Sequence, residues 1–140
     1  MKMIHNSYGF LFAKANQRIE QLLQPSLDEM GITSKQMGLI FIVQEHPGIT
    51  QIKAAEIQQI DRTTMTQLVD SLERKEFIKR NRIPEDRRAY GLYLTEQGES
   101  IFTNLWEAIN DVQAVYFQRI SNDQMEQLRT ILLLLINEEV

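Results

Sequence analysis

Residues 60–98 read IDRTTMTQLVDSLERKEFIKRNRIPEDRRAYGLYLTEQG. In the first half, Met65, Leu68, Val69 and Leu72 recur at steps of three and four, the spacing of a helix with one buried face. Asp61 stands at its N-cap, and the helix is expected to run to about Glu76 or Phe77. Thr63, Thr66, Gln67, Asp70 and Arg74 fall on the other face. The second half changes period. Tyr90, Leu92 and Leu94 alternate as a strand, and 78–83, though interrupted by charges, pairs with it as a hairpin around the turn Pro84-Glu85-Asp86-Arg87. Thr95 then caps a further helix.

Upstream, Thr50 caps a short helix reaching about Gln58, with Ile52, Ala55 and Ala54 turned inward. Two short helices joined tightly, the second polar on its outer face, make a candidate helix-turn-helix. Before it, Thr33 and Gln36 form a capping box. The helix they open is apolar nearly all round (Met37, Leu39, Ile40, Phe41, Ile42, Val43), so it belongs at the centre of the domain, and Pro47-Gly48 ends it.

The two ends of the chain are helical. Ile4, Tyr8, Leu11, Phe12, Ala15, Ile19, Leu22 and Leu23 form one stripe of a helix reaching Met30, which Pro25 is expected to interrupt or restart. Gly31 fits the left-handed position beyond its end. The Thr95-capped helix extends to about Arg119, and Ser121 with Gln124 forms a second capping box before Met125, Leu128, Ile131, Leu132, Leu135 and Ile136. These terminal helices display more apolar surface than one small core can cover. Such an excess marks a partner surface, and a two-fold homodimer is the commonest solution.

Composition narrows the class further. A chain of 140 residues favours a single domain, and the absence of cysteine excludes disulfides and thiolate metal sites. The longest apolar run, Ile131 to Ile136, is six residues, far short of the ~20 that span a bilayer. With no segment resembling a signal peptide, a cytoplasmic protein without membrane contact is expected. The net charge of −4 hides an asymmetry. Residues 73–88 hold seven basic and four acidic side chains, +3 in that window and −7 elsewhere. A basic cluster alone is ordinarily a solvated face; its setting on a hairpin after a helix-turn-helix gives it weight.

The setting is specific. Asp86-Arg87-Arg88-Ala89-Tyr90-Gly91-Leu92-Tyr93-Leu94-Thr95-Glu96-Gln97-Gly98 resembles the wing signature of the MarR family: Asp, any, Arg, three residues, Leu, any, Leu-Thr, two residues, Gly. Ile60 to Thr66 resembles the start of that family's recognition helix, and the order of six helices and a hairpin matches as well. The resemblance implies a mainly α fold with a small β-hairpin wing: one domain over 1–140, with a winged helix-turn-helix at 33–98 and dimerisation helices at 1–30 and 99–140. It departs from the family at three positions. Ala54 stands where leucine is common, Gln58-Gln59 where Leu-Gly is common, and Glu76 where a glycine-like turn former is common. A non-glycine residue held at positive φ costs on the order of 1 kcal/mol, so both turns are expected to differ in geometry.

By this resemblance the chain is expected to bind double-stranded DNA as a homodimer and to regulate transcription, with repression relieved by a small ligand. A helix fits the major groove, where Thr63, Thr64, Thr66 and Gln67 offer hydroxyls, methyls and an amide to base edges. Arg87 and Arg88 at the hairpin tip suit the negative potential of a narrow minor groove, with Asp86 pairing Arg88 by resemblance. Arg62, Arg74, Arg80 and Arg82 are candidates for phosphate contacts. The resemblance also implies a pocket for small aromatic or anionic effectors, for which Tyr8, Phe12, Phe41 and Trp106 are candidate linings, although aromatics at helical spacing are more often core. No cofactor or metal is expected, since His5 and His46 are a poor ligand set, and no nucleophile–base arrangement or phosphate loop suggests an enzyme. The alternative is a dimeric winged-helix module that binds a protein partner through its acidic flanks.

Overall fold

The computed structural model describes residues 3–136, with the side chains of Arg87 and Arg88 outside the description. After a 3-10 turn at Met3–Asn6, the elements are α1 (Tyr8–Met30), α2 (Ser34–Glu45), β1 (Ile49–Thr50), α3 (Gln51–Gln58), α4 (Arg62–Arg74), β2 (Ile78–Ile83), β3 (Asp86–Leu94), α5 (Glu96–Tyr116) and α6 (Asn122–Leu135). The mainly α class with a small antiparallel sheet is as expected. The chain divides into two compact units, one spanning Gln24–Ala108 and the other drawn from the two ends, through Leu23 and from Ile109 onward.

The central unit holds nearly all of the core. Leu27, Leu39, Ile40, Val43, Met65, Val69, Leu72, Ile78, Leu92 and Leu105 are each at most 2% exposed. α2 is the central helix its composition required, with Gln36, Leu39, Ile40 and Val43 buried. Gln36 completes the capping box with Thr33 and also donates to Ser71 Oγ at 3.0 Å, tying the start of α2 to α4. The expected caps at Thr50, Asp61 and Ser121 are all formed, each side chain accepting the amide three residues on.

Three expectations are corrected, and the expected hairpin gains a third strand. Pro25 lies inside a continuous α1. It removes the partner of the Gln21 carbonyl, but Gln21 and Pro25 are both exposed, so water can satisfy that group. Ile52 is 54% exposed rather than inward. α4 stops at Arg74, before Glu76. The sheet has three strands in the order β1-β3-β2, because Ile49 and Thr50 pair with Leu92 and Gly91. Gly91 makes that pairing possible: a β-carbon there would lie 2.7 Å from the Gly48 carbonyl oxygen.

The wing itself is tighter than a four-residue turn. Ile83 pairs with Asp86 around Pro84-Glu85, while Arg82 pairs with Tyr90, so Arg87, Arg88 and Ala89 bulge from β3. Behind it, Thr95 accepts the Gly98 amide at 2.9 Å and donates to the Glu76 carbonyl, locking the end of the hairpin to the turn after α4.

The unit built from the chain ends is different in character. Among its described residues Leu23 is the one buried apolar side chain, while Tyr8, Leu11, Phe12, Val115, Leu128, Ile131, Leu134, Leu135 and Ile136 are exposed. Tyr116 donates its hydroxyl to the Ala15 carbonyl at 3.1 Å. An apolar groove of about 300 Å³ runs along Tyr8, Phe12, Ala15, Tyr116, Leu128 and Leu132.

Candidate nucleic-acid interface

α4 is held to the core by Met65, Val69 and Leu72, none of them accessible. Arg62, Thr63, Thr66, Gln67 and Arg74 are exposed. Asp61 opens the helix, its carboxylate accepting the Thr64 amide at 2.6 Å and the Thr64 hydroxyl at 3.1 Å. These bonds to Thr64 hold the Asp61 carboxyl below its ordinary value. Thr64 is half-buried and its hydroxyl is engaged in this cap, which takes it out of the set of freely offered groups.

The turns flanking α4 keep their left-handed geometry without glycine, contrary to the altered geometry expected of them. Gln59 has φ 55° and Glu76 has φ 64°. At the first, Ile60 N–H donates to the Ala55 carbonyl at 3.1 Å and Gln59 N–H to that of Glu56 at 3.3 Å. At the second, Phe77 N–H donates to Leu72 at 2.9 Å and Glu76 N–H to Glu73 at 2.9 Å. Both are Schellman closures, the pattern that also ends α1 at Gly31. Backbone hydrogen bonds therefore fix the turns, and the non-glycine residues bear the strain.

The wing arginines divide into different roles. Arg80, expected among the phosphate contacts, acts as a clamp. Its guanidinium donates to Glu73 Oε1, to Asp70 Oδ1 at 3.1 Å and to Gln51 Oε1 at 3.2 Å. β2 is thereby fastened to α4 and α3 together. The clamp also neutralises part of the acidic charge that Asp70 and Glu73 bring to the outer side of α4. Arg82 lies with its guanidinium 5.6 Å from the Tyr90 ring centroid, across the strand pair. Asp86 is exposed at the start of β3. Arg87 and Arg88 are placed by backbone only, so their contacts and the Asp86–Arg88 pairing fall outside the described side chains.

Sequence reasoning missed Gln51. Its Nε2 donates to Thr66 Oγ1 at 2.7 Å while its Oε1 accepts from Arg80. No periodicity announces a contact across fifteen residues; the one signal was its place just after the Thr50 cap. The candidate effector residues fall into two groups. Phe41 and Trp106 pack edge-to-face at 6.0 Å and share a cluster with Phe102. Tyr8 and Phe12 line the groove of the terminal-helix unit.

A helix-turn-helix whose second helix is clamped to a β-hairpin defines a winged helix-turn-helix. Residues 32–90, from just before α2 into β3, match the model of the MarR family. The HTH-type transcriptional repressor MdtR of Bacillus subtilis (strain 168) is 25% identical over 111 residues, covering 79% of this chain and 72% of its own. A mutant MarR from E. coli complexed with operator DNA superposes with a TM-score of 0.78 at 23% identity, covering 89% of each chain. CouR from Rhodococcus jostii RHA1 bound to p-coumaroyl-CoA gives 0.84 at 22% identity, covering 95% of this chain and 94% of that one. Those two structures establish the likeness of fold. Among the described residues, no helix is long and apolar enough to cross a membrane.

Proposed function

We propose that the chain is a sequence-specific DNA-binding regulator that acts as a homodimer, with α4 entering the major groove and the β2–β3 wing reaching the adjacent minor groove. The observation that carries this reading is the division of α4. Met65, Val69 and Leu72 are inaccessible, while Arg62, Thr63, Thr66 and Gln67 stand exposed in the first two turns, the part of a recognition helix that meets base edges. Arg62 and Arg74 supply phosphate contacts, and Arg82, Arg87 and Arg88 supply the wing. The structural likeness to a MarR complexed with operator DNA supports the same mode.

The exposed apolar side chains of α1, α5 and α6 support dimerisation, since a partner copy would cover them. Repression relieved by a small aromatic or anionic compound is the regulatory reading. It draws support from the likeness to MdtR, a transcriptional repressor, and to CouR bound to p-coumaroyl-CoA. The half-exposed Trp106 within the Phe41–Phe102 cluster is a candidate contact, and as the chain's one tryptophan it would report binding by fluorescence.

The test is a selection from a random duplex library, followed by a salt series on the selected duplex. Phosphate neutralisation predicts a steep, log-linear fall of affinity with salt. Binding that stays undetectable at low salt would overturn the proposal in favour of a protein partner.

A further inference from the structure

Thr66 sits on the exposed face of α4 with its hydroxyl already engaged. A threonine hydroxyl has one proton to donate and two lone pairs to accept with. The proton goes to the Arg62 carbonyl at 2.9 Å, and one lone pair receives Gln51 Nε2 at 2.7 Å. What remains for a ligand is the γ-methyl group and a single lone pair. Gln51 does not wander, because its Oε1 accepts from Arg80, which Asp70 and Glu73 hold in turn. The wing clamp thus reaches through Gln51 to fix the rotamer of a residue on the reading face.

We propose that Thr66 is a specificity-determining residue that recognises a thymine through methyl–methyl contact, with Gln51 as its positioning residue. The inference rests on the DNA-reading proposal above and narrows it. A donor role toward guanine O6 or N7, or toward thymine O4, is closed, because the only hydroxyl proton is committed within the helix. The 5-methyl group of thymine is the apolar feature that the major groove presents. Burying one methyl contributes roughly fourfold in affinity.

The experiment starts from the duplex selected by the wild-type protein, with each thymine replaced singly by deoxyuridine, which lacks only the 5-methyl. At one position per half-site the wild type should lose roughly fourfold in affinity. There Thr66→Val, which keeps a methyl and drops the hydroxyl, should retain the preference for thymine. Thr66→Ser, which keeps the hydroxyl and drops the methyl, should bind the thymine and deoxyuridine duplexes equally. Gln51→Ala should reduce the thymine preference at that same position and leave other positions unchanged, an outcome that a merely structural role would not produce. A wild type that selects a motif yet is indifferent to every replacement overturns this inference alone. The reverse pattern, Thr66→Ser normal and Thr66→Val defective, also overturns it and assigns the reading to the remaining lone pair. A wild type that selects no motif overturns the DNA-reading proposal and this inference with it.

Discussion

Arg80 Nη2 lies 3.1 Å from Asp70 Oδ1 and is also bonded to Gln51, so one guanidinium on β2 joins α4 to α3. The arginine side chain is 29% exposed and the carboxylates 44% and 32%, which places the network between a surface pair and a buried one. Surface pairs contribute ~0–1 kcal/mol each, and a forked arginine with several partners lies at the upper end. Arg80→Ala is therefore expected to lower stability by about 1–2 kcal/mol in urea unfolding. It also exposes two uncompensated carboxylates beside the reading face, so DNA affinity should fall further than stability alone accounts for. Arg80→Lys, with no planar fork, should restore part of the charge effect and little of the stability.

Gln59 and Glu76 occupy left-handed backbone that glycine adopts without steric cost. The strain of ~1–2 kcal/mol is partly offset by the greater freedom glycine has in the unfolded chain. Gln59→Gly and Glu76→Gly should each stabilise by about 0.5–1 kcal/mol, and the two should add because they lie at opposite ends of α4. Alanine at either position should give no gain. Chemical denaturation of the three sets decides it; a glycine variant no more stable than its alanine counterpart would refute the strain.

Next to the first turn, Gln58 bonds the Lys35 carbonyl through Nε2 at 2.9 Å but leaves its buried Oε1 without a partner. An unsatisfied buried oxygen costs about 1–3 kcal/mol, while the bond that leucine would forgo contributes ~1 kcal/mol. Gln58→Leu is expected to raise the unfolding midpoint. A lowered midpoint would mean that the Lys35 bond outweighs the orphan oxygen.

Asp61 gives the fold a pH dependence with a definite sign. Its folded carboxyl titrates below the ordinary value because the ionised form accepts the Thr64 amide and hydroxyl. The cap is therefore fully present above the unfolded aspartate value near ~3.9 and is lost as pH falls through the lower folded value. Asp61→Asn keeps an acceptor oxygen without the titration. The thermal midpoint of the wild type should thus fall more steeply than that of the variant in the acid range, with parallel curves at neutral pH. Curves parallel throughout would remove Asp61 from the acid transition.

Ile131 is 53% exposed on α6, among the apolar side chains that the proposed dimer would cover. Covering a side chain of that size contributes roughly 1.5–3 kcal/mol, and a buried carboxylate reverses the sign. Ile131→Glu should shift the sedimentation coefficient from dimer to monomer with helical content retained. An unchanged coefficient would place the partner surface elsewhere.

Much of this molecule is fixed by interactions within a few residues, and those are legible in the chain. The caps at Thr33, Thr50, Asp61 and Ser121 each join a side chain to an amide three positions on. The periodic burial of Met65, Val69 and Leu72 follows from helix geometry alone, and so does the assignment of the exposed face to Thr63, Thr66 and Gln67. The motif from Asp86 to Gly98 carried the resemblance to the MarR family. Tertiary structure decided whatever depends on distant partners. The two-residue strand at Ile49 exists because Gly91 leaves room for Gly48, which no local pattern encodes. Arg80 looked like any other wing cation until folding brought Asp70, Glu73 and Gln51 around it. Within Ile60 to Gly98 the chain offered Thr64, Thr66 and Arg80 alike as side chains free to meet DNA. Local bonds engage Thr64 in the Asp61 cap and the Thr66 proton at Arg62. Tertiary packing places Arg80 in the clamp and Gln51 on Thr66, leaving that residue only its methyl and one lone pair.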